Sequence, residues 1–246
     1  MARSAWVVSA AMVALAVTLV VVRNGGEPTA AGEPMLPDLW SSAPFELQLD
    51  EVDGRAVLRF TTEINNRGDG DFMVRGSARD GDFAQWIAHR DGGHTVNPVE
   101  VTTVWGGDTH FHWHIEDVAR YSIVGLDGEP IGDSFDNKVG FCFFDGVDRL
   151  SELDAAPDEP VHLDSGCGSR LDPDLAMGLS VGWGDQYRFD LESQYIDIED
   201  VQSGSYRLRA EVDPDRCFVE SDDTNNAADT NFTLIVTEDR RTLLGG

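Results

Sequence analysis

The stretch "AVLRFTTEINN", residues 56–66, decides the fold. Leu58, Phe60, Thr62 and Ile64 fall on one side of an extended chain, and Arg59, Thr61 and Glu63 on the other. That period of two is the signature of a β-strand. "NRGDG" follows as a turn, and "DFMVRG" reads as the returning strand. Near the other end, "SYRLRAEV" alternates as cleanly, with Tyr206, Leu208, Ala210 and Val212 inward, and "NFTLIV" (231–236) is its expected partner. Between these ends the turns are dense and rich in Gly and Asp, and no long amphipathic helix interrupts them. The expectation is an all-β chain: one antiparallel β-sandwich with long functional loops over residues 36–237. A C-terminal tail, 238–246, follows it.

Ahead of that domain lies a leader and linker, residues 1–35. Arg3 precedes "WVVSAAMVALAVTLVVV", Trp6 to Val22. As a helix, those residues span about 25 Å, short of the roughly 30 Å hydrocarbon core. The run exceeds an ordinary signal h-region of about 7–15 residues. A signal peptide and an N-terminal membrane anchor both fit, and both send the rest of the chain out of the cytoplasm.

The chain carries 45 acidic and 18 basic residues, a formal net charge of -27. Such a surface repels nucleic acid and anionic membrane and attracts cations or amines. It also keeps a protein soluble, in high salt included. Of three cysteines, at most two form an internal disulfide, and Cys142–Cys167 is the preferred pair, with Cys217 left over.

"HFHWH" is the sharpest local motif. Three of six histidines fall at His110, His112 and His114, so on a strand their imidazoles share one face, with Phe111 and Trp113 packing on the other. The outer two Cα atoms would stand about 13 Å apart in an ideal strand, so a shared metal requires a bend or bulge there. Gly106 and Gly107 lie just upstream. Three neutral imidazoles suit copper or zinc and suit calcium or magnesium poorly.

Two further stretches stand out. "DSFDNKVGFCFF" (133–144) holds Lys138, the single lysine of the chain; the other 17 basic residues are arginines. In "KVGFCFF" both faces of an extended chain carry apolar groups, which is no place for a solvated amine. "ESDDTNN" (220–226) is built wholly of oxygen-bearing side chains, the hard ligands that calcium gathers; an Asx-type turn explains it equally well.

These pieces, in this order, resemble the catalytic domain of the lysyl oxidase family. The similarity starts at "LPDL" and "LRFTTEINNRGDGDF". It continues through "HFHWHIEDVARYSI", "DNKVGFCFFD", "GWGDQYRFDLESQYIDIEDVQSGSYRLR" and "VESDDTNN". The resemblance implies a copper site at His110, His112 and His114. It implies a built-in cofactor, lysine tyrosylquinone, made from Lys138 and Tyr187. It implies a calcium site at Asp38, Leu39 (through its carbonyl), Glu220, Asp222, Asn225 and Asn226. The implied activity is oxidative deamination of primary amines, with lysine-containing protein as one substrate class, consuming O2 and releasing aldehyde, ammonia and H2O2. A base must take the α-proton, and Asp117 or Glu116 are the candidates just after the triplet.

The chain departs from the family's animal pattern as well. Trp183 and Ser193 stand where cysteines flank the quinone tyrosine, Arg120 where a histidine is usual, and the 150–175 segment has its own length and acidity. His162 in that segment is expected on a surface loop. Tyr121 and Tyr195 compete with Tyr187 and read as structural aromatics. Two other functions stay open: an exported metal-binding or adhesion module without catalysis, and a three-histidine zinc hydrolase. The hydrolase leaves Lys138 and Tyr187 without a shared role.

Overall fold

The computed structural model describes residues 32–106, 111–131 and 140–245. The hydrophobic leader, His110 and Lys138 lie outside the described residues. Strands are numbered in chain order.

The opening stretch becomes the centre of the first sheet. β3 (Arg55–Asn66) has β1 (Leu39–Ser41) on one side and β12 (Trp183–Tyr187), then β10 (Val147–Asp148), on the other. Its first half pairs with β2 (Phe45–Val52) and β13 (Tyr195–Asp197). The second sheet runs β11 (Asp174–Leu179), β4 (Phe72–Ser77), β5 (Ala84–Ala88), β6 (His94–Pro98). The third runs β16 (Arg241–Leu244), β15 (Ala227–Val236), β14 (Gly204–Val212), β9 (Ala119–Gly125). β7 (Thr103–Trp105) and β8 (Trp113–Ile115) form a short ribbon. All these pairings are antiparallel. Among the described residues the only helical piece is a 3₁₀ turn, Asp164–Cys167.

The all-β expectation holds, and two local readings change. "DFMVRG" does not return along β3. It crosses to the second sheet, where β4 pairs with β11 and β5. The hairpin partner of β3 is β2, joined through Asp53–Gly54, both at positive φ, the dipeptide that a tight hairpin turn prefers. The polar face of β3 is also buried rather than solvated. Thr61 and Glu63 are enclosed, Thr61 donating to Glu46 at 2.7 Å and Glu63 pairing with Arg149 and accepting from Gln186 at 2.6 Å. Burial pushes the Glu63 carboxyl up, and the Arg149 and Gln186 side chains more than offset it. A strand covered on both faces loses the hydrophilic side that a half-exposed strand shows.

The third sheet follows the sequence closely. Tyr206, Leu208, Ala210 and Val212 all point inward, and Phe232 and Leu234 of β15 join them. One core takes side chains from all three sheets, among them Phe60, Ile64, Phe72, Met177, Tyr121, Ile123 and Leu208. The Cys142–Cys167 disulfide forms as expected, with Cα atoms 5.6 Å apart, and Cys217 is free. His162 is corrected: its side chain is only 10% exposed and faces Asp71 at 3.4 Å. Its backbone closes the loop onto Asp145, whose carboxylate accepts from the N–H groups of Val161, His162 and Ser180.

Candidate functional site

Three chain segments converge on Tyr187. The first is β12, which carries it. The register sets Tyr187 opposite Thr62 and Asp185 opposite Ile64, so both side chains point to the core face of β3. The second is "GFCFF". An expected strand, it instead makes one isolated bridge: Phe141 and Ile115 exchange both backbone hydrogen bonds at 2.9 Å. The third is β8, which carries His114 immediately before Ile115.

That bridge locks the histidine strand to the segment after Lys138. Gly140, two residues along from Lys138, makes the approach possible: a Cβ there would lie 2.7 Å from the His114 Cβ. Phe141 then packs its ring on Tyr187, centroids 4.0 Å apart, and Cys142 donates its N–H to the Tyr187 hydroxyl at 3.1 Å. The His114 ring stands 6.3 Å from the Tyr187 ring. Tyr187 is 5% exposed. Burial pushes its phenol well above the ordinary value, and the field of Asp185 adds to that; the Cys142 N–H offsets a part.

Within the described part of the histidine motif two imidazoles meet. β8 starts only at Trp113, and the Nε2 atoms of His112 and His114 come to 3.0 Å. Two nitrogens each about 2.0–2.1 Å from one metal stand roughly 3 Å apart, so this pair fits a common transition metal. Among the described residues no group of three or more His, Cys, Asp or Glu is disposed to hold a metal, His110 lying outside them. The two aromatics of the motif separate: Trp113 packs edge-on against Trp105 at 5.4 Å, while Phe111 is 74% exposed.

The two acids nominated as base, Glu116 and Asp117, follow β8 directly. Glu116 accepts from the Thr102 hydroxyl at 2.9 Å. Asp117, at positive φ, belongs to the acidic surroundings of Cys217. Arg120 faces Asp215 at 3.2 Å and Glu211 at 3.9 Å. The acid beside Tyr187 is Asp185, which sequence reasoning passed over. The signal was present in "WGDQY": a period of two puts residues 185 and 187 on one face.

The oxygen-rich set assembles separately, in the connection between β14 and β15. Glu220 accepts from the Leu39 N–H at 2.6 Å and from the Asn226 amide at 3.0 Å. The Asn225 amide donates to Asp38 at 2.9 Å. Asp222 accepts from the Thr224 N–H at 2.9 Å and hydroxyl at 2.6 Å, as an Asx turn does, and stands beside Asn225 and Arg67. The amide oxygens of Asn225 and Asn226 are buried without a hydrogen-bond partner. Burial pushes the Glu220 carboxyl up to about 7, Asp213 and Asp38 adding repulsion, while Asn226 and the Leu39 N–H offset a part. The two unpartnered amide oxygens and the neighbouring carboxyls are hard oxygen donors of the type calcium takes, although among the described residues the carboxylates do not gather as a three-membered metal-holding group.

Comparison with known proteins comes to the same family. A sequence model described as Lysyl oxidase matches residues 82–242. Lysyl oxidase homolog 3A of Danio rerio is 30% identical over 183 residues, 72% of this chain and 19% of that protein. Lysyl oxidase homolog 2 of Homo sapiens is 28% identical over 181 residues, 73% of this chain and 18% of its own length. The chain therefore spans about a fifth of the length of the curated relatives it matches.

Proposed function

The chain belongs to the lysyl oxidase family, and from that membership we propose that it is a copper-dependent amine oxidase. Its overall reaction takes a primary amine, O2 and water to aldehyde, ammonia and H2O2. The observation that carries the reading is the meeting of His112 with His114 and of the buried His114 ring with the buried Tyr187 ring.

His112 and His114, with His110, would hold the copper, and Lys138 with Tyr187 would form the quinone. Together these groups supply the redox chemistry, passing two electrons from the amine to O2. The remaining work is done by the chain. Phe141 fixes the plane of the Tyr187 ring, and the Cys142 N–H fixes the direction of its hydroxyl. The Cys142–Cys167 disulfide anchors the segment that carries both contacts. Enclosure keeps bulk water from the reacting ring. The role of Lys138 needs an amine that loses its proton; a guanidinium does not, which accounts for a lone lysine in an arginine-only chain.

The calcium set ties Pro37–Leu39 at the start of the domain to the 220–226 loop, a bracing role. With 45 acidic against 18 basic residues the surface favours cationic amines, lysine-bearing protein included, and disfavours nucleic acid. The leader directs the domain outside the cytoplasm. Among the described residues no helix is long and apolar enough to cross a membrane.

The test is direct. Protein made with copper and air should yield a Lys138–Tyr187 cross-linked peptide by mass spectrometry and release H2O2 when given an amine. Lys138→Arg should abolish both while copper still binds. A free Lys138 peptide from copper-loaded protein would sink the reading, and copper loss in the arginine variant would count against this division of roles.

A further inference from the structure

On the strand of Tyr187 and around Tyr121 lies a group of buried polar side chains whose hydrogen bonding is incomplete. Asp185 is 1% exposed, and neither carboxylate oxygen has a hydrogen-bond partner of good geometry, the Gln186 N–H acting on it from beside. The Thr62 hydroxyl, the Tyr121 hydroxyl and both polar atoms of Gln194 are likewise buried without a hydrogen bond of good geometry. Thr62 lies opposite Tyr187 in the β3–β12 register. Tyr121 comes from the third sheet and meets Phe60 edge-on at 4.9 Å. Its hydroxyl faces Thr62 and Gln194, and the charge of Asp185 reaches it, so four polar side chains from separate elements share one enclosure.

We propose that Asp185 is the proton acceptor of this site, the carboxylate that takes the α-proton of the bound amine, and that Thr62, Tyr121 and Gln194 form the polar wall through which that proton leaves. The inference rests on the function proposed above. It is argued from placement. Asp185 and Tyr187 are alternate residues of one strand on one face, about 6–7 Å apart at the backbone. Glu116 accepts from the Thr102 hydroxyl at 2.9 Å. Among the described residues Asp185 is the carboxylate whose field bears on the Tyr187 phenol. Buried, unpaired polar groups are rare in native folds, and where they persist they mark chemistry more often than packing.

The enclosure suits the task. Burial pushes the Asp185 carboxyl well above its ordinary range, with the Gln186 N–H offsetting a part. An ionised carboxylate there is a far stronger base than one in water. The titratable groups facing it are Tyr121 and Tyr187, and burial lifts both phenols above their ordinary values, so neither competes as an anion. In the step itself, an Asp185 oxygen would gain the α-proton, and the quinone that Lys138 and Tyr187 would form would supply the two-electron oxidation of the amine. O2 then takes two electrons and two protons and leaves as H2O2. Water supplies the aldehyde oxygen, and nitrogen leaves as ammonia.

The experiment compares wild type, Asp185→Asn and Asp185→Glu, made as full chains with copper. Each is read for the Lys138–Tyr187 cross-link, for copper content and for turnover of benzylamine and its α,α-dideuterated form. Asp185→Asn should keep cross-link and copper, lose about 10²–10⁴-fold in kcat/KM, and show a deuterium effect larger than wild type. Asp185→Glu should recover part of the rate. A readout independent of turnover uses chains made without copper: infrared difference spectra over a pH series, wild type minus Asp185→Asn, should show the Asp185 carboxyl ionising at higher pH than an ordinary carboxylate. An Asp185→Asn enzyme with its cross-link and a rate within threefold of wild type overturns the inference. So does loss of the cross-link in that variant, which would move Asp185 into cofactor formation, and so does an Asp185 carboxyl that ionises in the ordinary carboxylate range. A wild type with no cross-link overturns the proposed function first, and the two failures are thereby distinguished.

Discussion

Two polar sites in this molecule are built in opposite ways. Around Tyr187 the functional side chains stand on or beside strands, in a core where Asp185, Thr62 and Tyr121 leave hydrogen-bonding capacity unused. In the 220–226 connection the side chains come from irregular chain and have largely paired with one another: Asn225 with Asp38, Asn226 with Glu220, Thr224 with Asp222. The first arrangement is under-satisfied, which suits chemistry. The second is nearly self-satisfied, with two amide oxygens unpartnered, which suits bracing.

That contrast predicts independent failure. The largest effect is expected from Tyr187→Phe, which should remove the cross-link and all amine-dependent H2O2 release. Denaturant unfolding should show a loss of only about 1–3 kcal/mol, from the orphaned Cys142 N–H. Calcium-dependent stabilisation should survive in that variant; its disappearance would merge the two sites into one. Cys167→Ser comes next. It frees the chain between Cys142 and Cys167 and should cost about 3 kcal/mol in urea unfolding, with activity falling as the Phe141–Cys142 segment loosens. Full activity in that variant would break the link drawn between disulfide and ring positioning.

Calcium should act at the other site alone. At a hundred times its Kd it should stabilise the wild type by about 2.7 kcal/mol, seen as a rise in Tm that Glu220→Ala abolishes. Chelation should leave an already formed Lys138–Tyr187 cross-link in place. The smallest effect is a slope. Asp185 is held protonated in the fold beyond the ordinary carboxylate range. Below that range both states carry the proton and its contribution is fully present. As pH rises, the unfolded chain releases the proton first, so stability falls by about 1.4 kcal/mol per pH unit until the folded carboxyl also ionises. Asp185→Asn should flatten that part of the stability–pH curve in copper-free protein. An unchanged curve would mean that Asp185 is reached by water.

Much of this was legible beforehand because it rests on local pattern. The period of two in residues 205–212 fixes which side chains enter the core, and the structure follows it residue by residue. The fate of "DFMVRG" was not legible. A turn followed by a strand is equally consistent with pairing back and with crossing to another sheet, and the choice depends on partners far along the chain, here β11. "DG" at 53–54 held the better hairpin signal. His162 shows the same limit. An acidic, turn-rich segment reads as surface, yet Asp145 gathers it inward through backbone N–H groups, whose demand for partners leaves no trace in side-chain type.

The sequence by itself determined that this is an all-β chain with an apolar leader, three closely spaced histidines, one lysine ahead of an apolar run, and an oxygen-rich loop. Those properties belong to residue type and short-range spacing. Only the tertiary structure decided that two imidazoles of the histidine motif meet. Only it set Phe141 and Cys142 on Tyr187 and enclosed Asp185 with Thr62, Tyr121 and Gln194. Neighbours drawn from distant segments set a carboxyl's solvation, and solvation sets its chemistry.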